Sequence, residues 1–108
     1  MPKPDSLQGS LDLLVLKILS RRALHGYAIM AAVEEMSGEV LRVEEGSLYP
    51  ALHRMEEAGW VRAKWITKDT GRRVRVYELT VPGREQLSCE EARWRAVTGA
   101  VHRVLKLA

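Results

Sequence analysis

Residues 46–66 read GSLYPALHRMEEAGWVRAKWI, and the spacing of the apolar side chains changes within this stretch. The first half has apolar residues at helical spacing, so we predict a helix that Ser47 caps and that runs to about Ala58. Gly59 ends this helix, and from Trp60 onward the side chains follow the two-residue period of a β-strand. The stretch therefore predicts a helix followed directly by a strand. The inward-facing residues of the helix are Leu48, Leu52, Met55 and Gly59.

The outward face of this predicted helix carries groups that suit a DNA groove. Pro50 is tolerable because it falls in the predicted first turn, where backbone N–H groups have no partner in the helix. Ser47 and those N–H groups can bind a phosphate, and Tyr49 can donate its hydroxyl hydrogen to the DNA backbone. Arg54 can reach a guanine edge or a phosphate. We therefore predict that Ser47, Tyr49, Pro50, His53 and Arg54 contact DNA.

Three of these side chains have an alternative, purely structural interpretation. Tyr49 is also a candidate for a half-buried core aromatic, and His53 for an ordinary solvated helix face. Arg54 can instead form an ion pair with Glu57 or Glu45. The residues alone leave these alternatives open.

A hairpin follows the predicted helix. Residues 60–66 and 74–79 both alternate as strands, and the connection between them contains Gly71, which supplies the turn. Between Trp60 and Tyr77, six cations stand against one anion, Asp69. The six cations are Arg62, Lys64, Lys68, Arg72, Arg73 and Arg75.

Such a concentration of positive charge is typical of a surface that binds phosphate groups. We predict that Lys64, Gly71, Arg72 and Arg73 contact DNA, with the two arginines along the backbone or in the minor groove. The alternative is an ordinary solvated hairpin, which is the usual meaning of a charge run.

Two helices are predicted before this stretch. The first begins at Ser10 and is apolar around so much of its circumference that we expect burial on more than one side. In a chain of 108 residues the second side is expected to meet a partner subunit, through Leu11 and Leu14. The second helix opens at residues 25–27 and ends at Ser37 and the glycine after it.

The last predicted helix is long and has a narrow apolar face. Thr80 serves as its N-cap, and Pro82 lies in its first turn. The spacing of its apolar residues approximates a coiled-coil seam, which predicts a homodimer. The seam consists of Leu87, Trp94, Val97, Val101, Val104 and Ala108. The predicted dimer interface combines Leu11 and Leu14 with Trp94, Val97, Val101 and Val104.

The order helix, helix, helix, strand, strand, long helix defines the predicted fold class. It is mainly α with a two-stranded β wing, a winged helix-turn-helix with a long C-terminal dimerisation helix. We assign residues 1–82 to DNA binding and residues 83–108 to the dimerisation helix, as parts of one domain. A chain of 108 residues has room for one modest core.

Composition argues against most other classes of protein. The three histidines (25, 53 and 102) and the single cysteine, Cys89, form no metal-ligand pattern, and no phosphate loop or nucleophile elbow is present. We therefore expect no enzyme activity, no metal and no cofactor. No apolar run is long enough to span a membrane, and residues 1–5 do not look like a secretory signal, so we expect a cytoplasmic protein.

The motifs carry a resemblance to a known family. The strings LHGYAI (24–29) and GSLYPALHRME (46–56), with SLDLLVL (10–16), resemble the PadR family of bacterial transcriptional regulators. Gly71-Arg72-Arg73 and the run from Tyr77 to Arg84 look like that family's wing and exit. The single C-terminal helix is similar to the short-tailed subgroup. Val74-Arg75-Val76 departs from the aromatic-rich strand start that is common in the family.

The resemblance implies a homodimer built on the first and last helices, which represses a nearby promoter from an inverted-repeat operator of the ATGT…ACAT kind. It also implies that Ser47 and Tyr49 touch DNA and that Gly71 lies at the wing tip. In relatives a small planar aromatic ligand binds between the subunits, so Trp94 is a candidate effector contact, with plain interface packing as the alternative.

The main rival function is a winged helix that binds another protein. Such a module would not need six cations in its hairpin. A steep loss of DNA affinity with added salt would favour the DNA interpretation.

Overall fold

The fold consists of four helices and a small antiparallel sheet. The computed structural model describes residues 4–108, with only the backbone described for residues 4–9. The predicted order of elements is confirmed, with one short strand added between the first two helices. The elements are α1 (Pro4–Leu19), β1 (Leu24–His25), α2 (Gly26–Met36), α3 (Glu45–Glu57), β2 (Val61–Thr67), β3 (Arg73–Leu79) and α4 (Val81–Leu107).

The sheet has three strands in the order β1-β3-β2, so the central strand is β3. The hairpin pairs β2 with β3 from Val61 opposite Leu79 to Thr67 opposite Arg73. On its other edge, β3 pairs only with the two residues of β1, through the Leu24–Tyr77 pair and its neighbour. The prediction of a two-stranded wing missed β1, because two residues are too few to show a strand's alternation.

Helix α1 is the centre of the core. The side chains of α2, α3, β3 and α4 all pack against it, so both of its apolar flanks are covered within one chain. The expectation that a partner covers the second flank is therefore wrong for most of α1. Leu11 is 2% exposed and has almost no surface left for a partner, whereas Leu14 is partly exposed.

Helix α3 begins three residues earlier than predicted. Glu44, rather than Ser47, is its N-cap, and it makes no side-chain capping hydrogen bond. Glu45 lies in the first turn, where a carboxylate is favoured by the positive end of the helix dipole. Pro50 consequently lies in the second turn, where it has no N–H to donate to the carbonyl of Gly46.

The hairpin is joined to its flanking helices by Gly59 at one end and by Thr80 at the other. Gly59 has φ +82° and ends α3 as predicted, with the Trp60 N–H donating to the Met55 carbonyl (2.9 Å). Thr80 is the N-cap of α4, as predicted, and accepts from the Gly83 N–H (3.1 Å). A Cβ on Gly83 would overlap the carbonyl oxygen of Trp60, so the first turn of α4 is packed directly onto backbone.

Gly83→Ala is therefore expected to destabilise the protein, by about 1–3 kcal/mol, because neither backbone can move without breaking the cap. Urea unfolding followed by circular dichroism measures this difference. Gly99→Ala is the control, since its added methyl meets only Arg103 at 3.8 Å. The control should be neutral or stabilise α4 by up to about 1 kcal/mol. Equal stabilities of the two variants would contradict the proposed packing.

Helix α4 extends well beyond the body of the chain. Leu87 is the last of its side chains to be buried, and Glu91 still pairs with Lys17 of α1 at 3.0 Å. The rest of α4, up to Leu107, projects about 24 Å further. The longest dimension of the molecule, 58 Å, follows from this projection. Among the described residues, no helix is long and apolar enough to cross a membrane.

Candidate nucleic-acid interface

The outer face of α3 is exposed over most of its length, as predicted. Tyr49, Pro50, His53 and Arg54 are exposed, and Ser47 is half-buried. The opposite face of α3 is held in the core by Leu48, Ala51, Leu52 and Met55. The helix is therefore supported from behind and free in front, which is the arrangement that a major-groove helix requires.

Tyr49 packs against the start of α2 while part of its side chain stays exposed. Its ring packs on Gly26 so closely that an added Cβ there would lie 2.6 Å from its Cζ atom. The side chain is nevertheless 37% exposed, although its hydroxyl oxygen is the atom nearest to that added Cβ. Gly26 thus positions Tyr49 at the junction of α2 and α3.

The two other polar side chains on the outer face of α3 are engaged with carboxylates. His53 Nε2 lies 3.5 Å from Glu57 Oε2, in a largely exposed pair. Arg54 donates to Asp12 Oδ1 of α1 at 2.7 Å, rather than to either of the glutamates considered above. Arg54 is therefore partly neutralised in the free chain, and it would have to leave Asp12 to reach a base.

The six hairpin cations fall into two groups. Arg62 and Lys64 share the carboxylate of Glu78, at 2.9 and 3.4 Å, and the hydrogen bond from Arg62 holds the pKa of Glu78 below its usual value. Arg75 pairs with Glu56 of α3 at 3.0 Å. Among the described side chains, no carboxylate lies within 4 Å of the other three, which are Lys68, Arg72 and Arg73.

These three cations surround the wing tip. Gly71 has φ +85° and forms the turn, with its N–H donating to the Lys68 carbonyl (2.8 Å). The guanidinium of Arg73 stacks over the ring of Trp65 at 4.9 Å, a geometry that orients it without removing its charge. The predicted position of Gly71 in the turn is confirmed, and the strongest unneutralised positive charge lies beside it.

The structure adds residues that the sequence did not single out. His25, Tyr27 and Lys68 lie with Tyr49 and Arg72 around a cleft of about 300 Å³ between α2, α3 and the wing. The Tyr27 hydroxyl donates to Glu45 Oε2 (3.0 Å), and this hydrogen bond raises the pKa of Tyr27. The family-like string around His25 was the one available signal, but nothing in it indicated proximity to the wing.

The predicted seam of α4 is exposed along the projecting part of the helix. Trp94, Val97, Val101 and Val104 are each about half exposed or more, and Leu105 and Leu107 are more exposed still. A row of apolar side chains without a cover is unusual on an isolated soluble domain. Among the described residues, no group of three His, Cys, Asp or Glu is placed to hold a metal ion.

A core-supported helix with a free outer face, followed by an antiparallel hairpin, defines a winged helix-turn-helix protein. The family model for the transcriptional regulator PadR-like family matches residues 15–89. The chain therefore belongs to the PadR-like family, and it is a transcriptional regulator rather than an enzyme.

Individual relatives agree with this assignment. A PadR-like transcriptional regulator from Bacillus cereus superposes with a TM-score of 0.83 at 27% identity, covering 96% of this chain and 99% of that one. A PadR family regulator from Clostridium difficile gives 0.78 at 28% identity, over 89% and 98%. An uncharacterized 37.1 kDa protein in transposon TN4556 of Streptomyces fradiae is 43% identical over 83% of this chain and 24% of its own length. The chain thus spans about a quarter of that relative.

Proposed function

We propose that this protein is a homodimeric repressor that binds an inverted-repeat DNA operator through α3 and the wing. The observation that carries the proposal is the wing tip, where Lys68, Arg72 and Arg73 have no carboxylate partner among the described side chains and line one cleft with Tyr49 of α3. Unneutralised cations next to an exposed helix are what phosphate contact and groove insertion require. In this arrangement residues 1–82 bind DNA, residues 83–108 form the dimer, and the protein acts in the cytoplasm.

The side chains divide between the two kinds of DNA contact. Ser47, Tyr49 and Pro50 face the groove and its phosphates from the first two turns of α3, while His53 and Arg54 extend the surface toward the base edges. From the wing, Lys64, Arg72 and Arg73 meet the backbone on either side, with Gly71 allowing close approach at the turn. Phosphate contacts position the protein, and contacts to bases specify the sequence.

A two-fold dimer would present two such surfaces to successive turns of one face of the duplex. The exposed face of α4 supports this assembly, since the part of the chain that the structure describes leaves Trp94, Val97, Val101 and Val104 about half exposed or more. Repression follows if the operator overlaps a promoter. A small planar aromatic ligand that stacks on Trp94 would change the dimer and so relieve repression.

The test is the selection of bound duplexes from a random DNA pool, at low and at physiological salt. We expect recovery of an inverted repeat whose half-sites are about one helical turn apart. Recovery of no motif, with binding that disappears at moderate salt, would reject the operator and favour a winged helix that binds another protein.

Gly46→Ala is expected to stabilise the fold and to weaken operator binding. An added Cβ at this helical position meets nothing within 4 Å and its φ is not left-handed, so nothing in the described structure requires glycine there. Alanine should raise the free energy of unfolding by about 0.5–1 kcal/mol. We expect a loss of about tenfold in operator affinity, since a clash of the added methyl group with the DNA backbone would cost about 1.4 kcal/mol.

Gly99→Ala serves as the control here as well, because it adds the same methyl group to α4, on the side away from the apolar face. Fluorescence anisotropy with the selected operator measures both affinities, and urea unfolding measures both stabilities. Unchanged affinity for Gly46→Ala would place the DNA backbone away from the start of α3.

A further inference from the structure

The cleft between α2, α3 and the wing has the chemistry of an anion site. It holds about 300 Å³ and is lined by histidine, three tyrosines, valine and cations, without a single Asp or Glu among its lining residues. Lys68 and Arg72 bring positive charge that no described carboxylate neutralises within 4 Å. Strong positive charge in a concave surface favours a small oxyanion over a cation or an apolar ligand.

His25 lines this cleft, and a hydrogen bond holds its ring in place. Its Nδ1 accepts from the Ala28 N–H at 3.2 Å, which makes it the N-cap of α2. A ring nitrogen that accepts carries no hydrogen, so the hydrogen of the neutral ring is on Nε2, at the other side of the imidazole. The cap thus fixes the tautomer as well as the position of the ring, and the half-buried His25 keeps Nε2–H as a donor.

Two tyrosines form the aromatic wall next to His25. Tyr49 is held in place by its contact with Gly26, the residue that follows His25. Tyr27 donates its hydroxyl hydrogen to the carboxylate of Glu45. Glu45 is not itself a lining residue of the cleft. Glu45 therefore lies just outside the cleft, hydrogen-bonded to one of its lining tyrosines.

We propose that this cleft binds a phosphate-type oxyanion, held by the charges of Lys68 and Arg72 and by the Nε2–H of His25. The oxyanion has two possible sources, a phosphodiester of the DNA backbone or a soluble phosphate. The first source rests on the proposed DNA-binding function, and the second does not. Under either source, His25 is a binding residue and not only a helix cap.

Two substitutions at His25 separate these roles. His25→Asn and His25→Asp both replace the ring with a favoured N-cap, and Asp is at least as good a cap next to the helix dipole. They differ in the cleft, where Asp adds a negative charge. Both variants should have melting temperatures close to that of the unaltered protein. The affinity of His25→Asp for the selected operator should be at least tenfold below that of His25→Asn.

The soluble source is tested by adding inorganic phosphate to the free protein while NMR follows the ring protons of His25. We expect a saturable shift that chloride at the same ionic strength does not produce. The shift should be lost in the double variant Lys68→Gln, Arg72→Gln. Sulfate, a second tetrahedral oxyanion, should compete with phosphate for the same signals.

The outcomes assign the source or reject the site. A saturable phosphate shift supports the site whether or not DNA binds, and a lower operator affinity for Asp than for Asn supports occupation by the DNA backbone. Equal affinities of the two variants, together with a phosphate response no larger than that of chloride, overturn the proposal. If the unaltered protein binds no duplex at all, the proposed function fails, and the phosphate titration alone decides the inference.

Discussion

The triple variant Lys68→Gln, Arg72→Gln, Arg73→Gln is expected to bind its operator about a hundredfold more weakly than the unaltered protein, at about 0.15 M salt. These side chains are exposed and lie at the tip of the wing, where no described carboxylate shares their charge. For each phosphate contact that is lost, about one counterion fewer is released from the DNA on binding. The slope of log affinity against log salt should therefore become shallower by about 0.9 per lost contact.

Single substitutions give this prediction a matched control. Lys64 and Lys68 are both exposed lysines on the wing, but the Lys64 ammonium lies 3.4 Å from Glu78 and shares that carboxylate with Arg62. Lys68→Gln should thus weaken binding several-fold more than Lys64→Gln. Fluorescence anisotropy at four salt concentrations yields affinity and slope together. A triple variant with an unchanged slope would remove the wing tip from the DNA interface.

Stacking on Trp65 makes Arg73 the most strongly oriented of the three cations. Its guanidinium lies 4.9 Å from the ring centroid, and Arg75 contacts the same ring at 5.9 Å while pairing with Glu56 of α3. The Arg75–Glu56 ion pair therefore connects the wing to α3, and the Trp65 ring orients both arginines within the wing. The ion pair lies between the two surfaces that we propose contact DNA.

Elements specified by local chemistry were predictable from the sequence. The end of α3 needs a residue with a left-handed backbone, and Gly59 supplies it. The start of α4 needs an N-cap hydroxyl, and Thr80 supplies it, so both helix ends could be predicted from the residue types alone. The alternation of the hairpin strands was equally clear, and its turn at Gly71 has the positive φ that the prediction required.

Features that depend on distant contacts were not predictable. The start of α3 was misplaced because Ser47 and Pro50 favour a helix start at least as well as Glu44 does, and tertiary packing decides between them. The burial of α1 was assigned partly to a partner because periodicity shows which faces are apolar, but not what covers them.

The candidate site shows the same division. The exposure of Tyr49 and the charge of the wing could be inferred from spacing and composition. The Arg54–Asp12 pair joins residues 42 positions apart, and the cleft at His25 exists because two residues of β1 pair with the middle of β3. Neither contact has a local signal, since both depend on how the helices and the sheet pack.

Val101→Asp is expected to convert the protein into a monomer and to reduce operator affinity by a hundredfold or more. Val101 is 51% exposed in the single chain, so the substitution costs the isolated fold little. In a dimer built on the α4 face, the same carboxylate would be buried against the partner's apolar face without a cation, at a cost of several kcal/mol. Light scattering measures the mass, and anisotropy measures the affinity.

Ala92→Asp is the control for this substitution, because Ala92 is exposed on the side of α4 opposite to Val97 and Val101. It adds the same charge to the same helix, and it should leave the dimer intact. A monomer holds one recognition helix and one wing, so it would make half of the phosphate contacts and lose the gain from joining two half-sites. If Val101→Asp remains a dimer with normal affinity, the exposed face of α4 is not the dimer interface. If it is a monomer with normal affinity, one protomer suffices for recognition and the inverted repeat is not required.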